Sequence, residues 1–278
     1  IPLFTALSVW LLLITYTAKT KTRSLLFSCL AGIAIGLGFY TYIAYRIFIP
    51  IIAIALLWPI AVDLWEKPRG SAIKKYWRQF VIMIFSALLT VMPLFYYFYT
   101  HPGSFIGRSS QVSVFNPELN QGHLLATIAE VSKQSLIGYF WQGDLNWRHN
   151  ISGQPFLSIL VSPFFLLGLI GTTLLAATYF FRPIKNRRRW PYFMIAGWFW
   201  GMLIPVITTA EGIPHGLRSI GTIPTVFIIS ALGVYWVFVI VRQIVNRFYP
   251  LLPQWKKTLL NWAFEAKTIA YFTAIILQ

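Results

Sequence analysis

FVIMIFSALLTVMPLFYYFY, Phe80 to Tyr99, runs without a single Asp, Glu, Lys or Arg. A helix needs about 20 residues to cross the ~30 Å hydrocarbon layer of a bilayer, so this stretch is long and apolar enough to span. Outward from it, further apolar runs lie at about residues 1 to 18, 25 to 42, 47 to 65, 156 to 181, 191 to 209 and 219 to 241. An eighth begins near Thr268, although Glu265 and Lys267 suit an interfacial helix better than mid-bilayer. The composition agrees: of 278 residues, 57% are hydrophobic and 11% charged, where soluble domains carry about 25% charged residues. The expected fold is all-α, a polytopic transmembrane helical bundle of about seven to eight spans, with residues 1 to 278 as one transmembrane domain. The sole cysteine, Cys29, lies in an apolar run, which excludes an intrachain disulfide and a cysteine-rich metal centre. The chain starts and stops inside apolar runs, so the reading expects a piece of a longer protein.

The 23 Lys and Arg outnumber the 7 Asp and Glu, giving a net charge of +16. Taken alternately, the loops divide these charges unevenly. One side receives Lys19, Lys21 and Arg23, then the clusters from Lys67 to Arg78, from Arg182 to Arg189 and from Arg242 to Lys257. The other receives Arg46, Arg108, Lys133, Arg148 and Arg218, with Lys267 unassigned. Excess Lys and Arg mark the cytoplasmic side, so topology accounts for the charge and no nucleic-acid partner is needed. All four histidines, with Glu118, Glu130, Asp144 and Glu211, then fall on the non-cytoplasmic side.

The segment from residue 100 to 155 is too long for a bare connector. It reads as a non-cytoplasmic loop carrying short amphipathic helices, chiefly GHLLATIAEVSKQSLIGYF at 122 to 140, whose apolar side chains recur at helical spacing.

Four constellations on this side carry chemistry. In GIAIGLGFYTYIAYR, Gly32 to Arg46, the glycines let a second helix approach closely. Tyr40, Tyr42 and Arg46 fit either the mouth of a lipid-phosphate groove or an aromatic belt with a snorkelling arginine. In HPGSFIGRSSQVSVFNPE, His101 to Glu118, the neighbours His101, Arg108, Ser109, Ser110 and Gln111 suit phosphate oxygens or sugar hydroxyls, or form a solvated turn. In YFWQGDLNWRHNISGQP, Tyr139 to Pro155, Trp141 and Trp147 flank Asp144, Asn146, Arg148, His149 and Asn150. Aromatic faces beside amides, a carboxylate and a cation fit sugar recognition, with Asp144 either catalytic or a structural partner of Arg148. Asn150-Ile151-Ser152 also matches a glycosylation sequon. In EGIPHGLRSIGTIP, Glu211 to Pro224, Pro214 and Gly216 shape a short turn in which Glu211, His215 and Arg218 converge or cap two helix ends as an ion pair. Phosphate-binding loops ending GK[ST], HExxH pairs and GxSxG elbows do not occur.

Taken together, GFYTYIAYR, HPxxFxxR, GDLNWRHN and IPHGLRSIGTIP resemble bacterial membrane glycosyltransferases of the GT-C class, in the branch of the protein O-mannosyltransferases and aminoarabinose transferases. The resemblance runs from about Gly32 to Pro224. It implies an integral protein of the bacterial inner membrane that takes a polyprenyl-phosphate-linked sugar as donor. Transfer would go to an acceptor hydroxyl on a protein, lipid or glycan at the outer face. It further implies a carboxylate as general base and arginines holding the phosphate leaving group. Such enzymes carry the catalytic carboxylate in the first outer loop, which this chain lacks, leaving Asp144 and Glu211 as candidates within it. Arg46, Arg108, His215 and Arg218 are then expected on the donor phosphate. Tyr42, His101, Gln111, Asp144, Asn146, Arg148, His149, Asn150 and Glu211 are expected at the sugar, acceptor or loop. No cofactor is required in this reading; a divalent metal stays open because no ligand spacing is diagnostic. Two other functions compete: an O-antigen or polysaccharide ligase with a lipid-pyrophosphate donor, and a lipid-linked-sugar flippase or transporter. The transporter expects ionisable groups along several spans, and the spans here are nearly free of them.

Overall fold

A computed structural model describes residues 1 to 66, 71 to 105 and 111 to 248. Arg108 and the segment around Thr268 lie outside these residues. The described chain is all-α, without a named strand. Its helices are α1 (Pro2–Thr17), α2 (Lys21–Gly38), α3 (Phe48–Glu66), α4 (Ser71–Thr100), α5 (Pro117–Asn120), α6 (Leu124–Ile137), α7 (Ser162–Phe181), α8 (Trp190–Ile207), α9 (Gly216–Ser219) and α10 (Ile223–Phe248). Short 3-10 turns at Ile43–Ile47, Arg187–Arg189 and Ile220–Thr222 lead into α3, α8 and α10.

Among the described residues, five helical stretches are long and apolar enough to cross a membrane: Ile43–Trp65, Ile73–Thr100, Ser162–Phe181, Arg187–Ile207 and Gly216–Val245. The first two expected spans are more modest. Helix α1 has 16 residues, and α2 opens on Lys21, Thr22, Arg23 and Ser24. Helix α2 also stops at Gly38 instead of reaching residue 42. The N–H groups of Phe39, Tyr40 and Thr41 turn back to carbonyls three residues earlier, and Tyr42 is extended. The fifth expected span starts at Ser162, after a turn formed by the preceding apolar residues.

Helix α8 is the centre of the bundle. Trp198 and Met202, four residues apart, face a cluster with Leu11, Leu12, Ala31, Tyr45, Phe48 and Ile52. Phe199, Leu203 and Val206 face a second cluster with Tyr139, Phe165, Leu169, Val226 and Ile229. A helix apolar all round suits this position, and the Trp190 indole pins it to α3 by donating to the Ala55 carbonyl at 2.9 Å. By contrast α4 leaves Phe85, Leu89, Met92 and Tyr96 exposed, which is the outward face expected of a helix bathed in hydrocarbon.

Small residues set the closest helix contacts. The glycine spacing predicts a close helix partner for α2, and that partner is α4: a Cβ on Gly32 would meet the Met83 backbone, and one on Gly36 would meet Thr90. The sequence reading did not single out the reciprocal pair between α7 and α10. There Gly168 abuts the Ile229 carbonyl and Gly233 abuts the Phe164 carbonyl.

Alternation of helix direction gathers the links 39 to 47, 101 to 105, 111 to 161 and 208 to 222 at one end of the bundle, and hydrogen bonds join 39 to 47 with 101 to 105 and 111 to 161 with 208 to 222. Arg46 donates to the Phe105 carbonyl at 2.8 Å. Val114 N–H donates to Thr208 O and Ala210 N–H to Val112 O, both at 3.0 Å. The described links 18 to 20 and 182 to 189, which carry Lys19, Arg182, Lys185, Arg187, Arg188 and Arg189, lie at the opposite end. Helix α6 confirms an amphipathic helix within 122 to 140, with Val131 and Ser135 buried on its inner side.

Gly233→Ala is expected to lower the thermal stability of the detergent-solubilised protein by about 1–3 kcal/mol through overpacking. Gly197→Ala, whose added Cβ meets nothing within 4 Å, should leave the unfolding midpoint in place. Equal behaviour of the two variants would contradict this packing.

Candidate functional site

The segment Asp144 to Gln154 ties itself into a compact loop. Gly153 N–H donates to the Asp144 carbonyl at 3.0 Å, Ser152 Oγ to the Leu145 carbonyl at 2.8 Å, and Asn150 Nδ2 to the Gln154 carbonyl. Gly143 is needed here because a Cβ would strike the Gln154 carbonyl. The fold thereby turns the Asp144 side chain inward, where it is 5% exposed.

The Asp144 carboxylate is the junction of the site. Oδ1 accepts from Asn146 N–H at 2.8 Å. Oδ2 accepts from His149 Nδ1 at 2.8 Å and from Gly216 N–H, 72 residues away, at 2.8 Å. Burial alone raises the Asp144 pKa, but the two backbone N–H donors, the His149 ring and His215 outweigh it and hold the carboxyl below its ordinary value. With three donors already on it, this carboxylate is better built for positioning than for taking a proton.

Opposite the loop, the Glu211–Pro224 turn supplies His215 and Arg218. The His215 ring stacks on His149 with centroids 4.6 Å apart, and its Nδ1 lies 3.9 Å from Asp144 Oδ2. That nitrogen is buried and makes no hydrogen bond. Burial first, then the nearby Arg218 and His149, push the His215 pKa down to about 4 against the opposing pull of Asp144 and Glu211. The ring is therefore neutral at pH 7. Arg218 donates to the Glu211 carbonyl, and its other terminal nitrogen lies 3.8 Å from Glu211 Oε2. The Glu211 side chain is 53% exposed, which leaves it the accessible carboxylate of the group.

The structure thus merges two of the four constellations: Asp144, Asn146, His149, Glu211, His215 and Arg218 form one site. Arg148 is exposed, its backbone N–H bonded to Asn146 Oδ1 at 3.1 Å. Trp141 and Trp147 are 81% and 76% exposed, available as stacking faces. The other candidates have local partners. The Arg46 guanidinium lies over the Phe105 and Phe98 rings, 4.2 and 5.1 Å from their centroids. His101 stacks on Tyr97 at 4.6 Å and bonds Thr100 Oγ1. The Gln111 carbonyl accepts from Asn116 Nδ2 at 3.2 Å, and the Tyr42 carbonyl accepts from Tyr45 N–H. Because Val112 pairs with Ala210, Gln111 sits one residue from a segment running into Glu211.

The sequence reading named Gly216 only as a turn former and Tyr139 only as the start of a constellation, and the roles of both escaped it. Gly216 acts through its backbone N–H, and a Cβ there would press on His149 at 3.2 Å. Tyr139 anchors the loop from below, its hydroxyl 2.7 Å from Thr222 Oγ1. Comparison with family models, with curated proteins and with solved structures finds no match for the chain.

Acid is expected to loosen this site. A His215 pKa lowered from 6.5 to about 4 in the fold means that below pH 6.5 the unfolded chain takes up a proton which the folded one refuses. Stability is then full above pH 6.5 and falls as the pH drops toward 4. Between pH 7 and pH 5 the loss is at most about 2 kcal/mol, reduced by solvent reaching the ring. Thermal unfolding in detergent with chelator present should show this drop in the wild type and a flatter profile in His215→Gln. Identical profiles would contradict the assignment.

Proposed function

We propose that this chain binds the donor in a membrane glycosyltransferase, which moves a sugar from a polyprenyl-phosphate carrier to an acceptor hydroxyl on a protein, lipid or glycan. The observation that carries the reading is the joining of the Asp144 loop to the turn bearing Glu211, His215 and Arg218 at one end of an apolar bundle. A lipid-anchored phosphate travels in the bilayer and presents its charge at the membrane surface. A guanidinium at the first turn of a spanning stretch, flanked by exposed tryptophans, answers both its charge and its sugar.

In this mechanism Arg218 offers charge-assisted hydrogen bonds to the phosphate, which gains negative charge as the sugar leaves, and Glu211 orients the guanidinium. Stabilising charge that develops in the transition state is the larger part of such catalysis. Asp144 holds loop and turn in register so that Trp141, Trp147 and Arg148 border the same site. Arg46, cradled by Phe98 and Phe105, adds a second cation at the mouth. Within the chain, Glu211 is the candidate general base, as the accessible carboxylate of the group. The charge bias of the loops supports a site on the non-cytoplasmic face; the bacterial plasma membrane comes from the resemblance alone.

The test uses native membrane vesicles of a strain carrying the protein, supplied with radiolabelled sugars on polyprenyl monophosphate. Arg218→Ala is expected to cut transfer about 10- to 100-fold, the loss of a hydrogen bond to a charged group, at matched expression. Absence of transfer from every monophosphate donor, with transfer from a pyrophosphate donor, would move the chain to the ligase reading. Movement of the lipid-linked sugar across the bilayer without transfer would move it to the flippase reading.

A further inference from the structure

The Asp144, His149 and His215 side chains each bring one metal-ligating atom to within 4.8 Å of the others. His149 Nδ1 lies 2.8 Å from Asp144 Oδ2 and His215 Nδ1 lies 3.9 Å from the same oxygen. An ion with bonds of about 2.0–2.2 Å in tetrahedral geometry sets its ligand atoms roughly 3.3 Å apart, between these two separations. Small ring movements would therefore seat it.

A second observation points the same way. The buried His215 Nδ1 has no hydrogen-bond partner, and 3.9 Å is too long for Asp144 to serve as one. A buried polar nitrogen left unpaired is costly, and in the Nε2–H tautomer this one is satisfied by a cation held between it, the carboxylate and the second imidazole. The outer hydrogen bonds that metal ligands require are already in place: Asn146 N–H fixes Oδ1, and Gly216 N–H fixes the orientation of Oδ2. Stacking at 4.6 Å holds the two rings together.

We infer that Asp144, His149 and His215 form a binding site for one divalent transition-metal ion of the zinc type. One carboxylate and two imidazoles favour zinc over calcium or magnesium, which take oxygen ligands. Binding at His149 Nδ1 takes the neutral ring in its Nε2–H tautomer, so the proton that lies between Nδ1 and Asp144 is given up there and one is carried on Nε2 instead. The ion would bridge loop and turn, since His215 comes from one and the other two ligands from the other. Three protein ligands leave a fourth position for water or a substrate oxygen. The inference does not depend on glycosyl transfer, because its test reads the metal and not the reaction.

The full chain in detergent, stripped by chelator, is titrated with Co²⁺ as the probe and followed by equilibrium dialysis and visible absorption. One equivalent is expected to bind with the intense bands of tetrahedral Co²⁺ and to be displaced by Zn²⁺. In His215→Gln affinity should fall at least tenfold. The wild-type Nδ1 makes no hydrogen bond, so the variant should fold, as its tryptophan circular dichroism will report. His149→Gln should show the same loss. Absence of stoichiometric Co²⁺ binding by the wild type, or equal binding by the wild type and both variants, would overturn the inference.

Discussion

A single buried carboxylate holds the functional end of this protein together. Asp144 receives N–H groups from its own loop through Asn146, from the short turn through Gly216, and a ring nitrogen through His149. A carboxylate taken out of water needs such donors, because an ionised group in an apolar setting is costly unless it is hydrogen-bonded. That requirement fixes the distance between two segments that the chain separates by two spanning helices. The placement of His215, Arg218 and Glu211 beside His149 follows from it.

Beneath the carboxylate, the bundle provides a rigid base. Helix α8 packs into two apolar clusters, and the Tyr139 hydroxyl connects the segment after α6 to Thr222 just before α10. Where helices meet through glycine, side chains cannot intervene and the backbones lock at short range. Loops mounted on such helices inherit their precision. The arginines then differ in character: Arg218 is tied to a carboxylate, Arg46 to aromatic rings and a carbonyl.

Much of this was legible in the sequence. Runs such as Phe80 to Tyr99 announce membrane helices because hydrocarbon thickness and helix rise together dictate length. The spacing of apolar side chains after Gly122 announces α6. Glycines at 32 and 36 announce a close helix partner, though not which helix. Asp144, His149, Glu211, His215 and Arg218 stood out as groups of chemistry-bearing residues, yet as two separate constellations. Their union was hidden because it depends on the Gly216 backbone N–H, and every residue but proline has one. The end of α2 at Gly38 was hidden for a similar reason: Phe39 to Tyr42 continue the apolar character while the backbone leaves the helix. The orphaned His215 nitrogen and the Gly168–Gly233 contact arise from packing between distant segments, which no local pattern encodes.

Asp144 joins the loop to the turn. Amide hydrogen exchange across residues 212 to 219, compared between the wild type and Asp144→Ala at pH 7, tests it most directly. A protected Gly216 amide is expected in the wild type and exchange at least tenfold faster in the variant, with the amides of α7 and α10 unchanged. Equal protection of Gly216 in both proteins would contradict it.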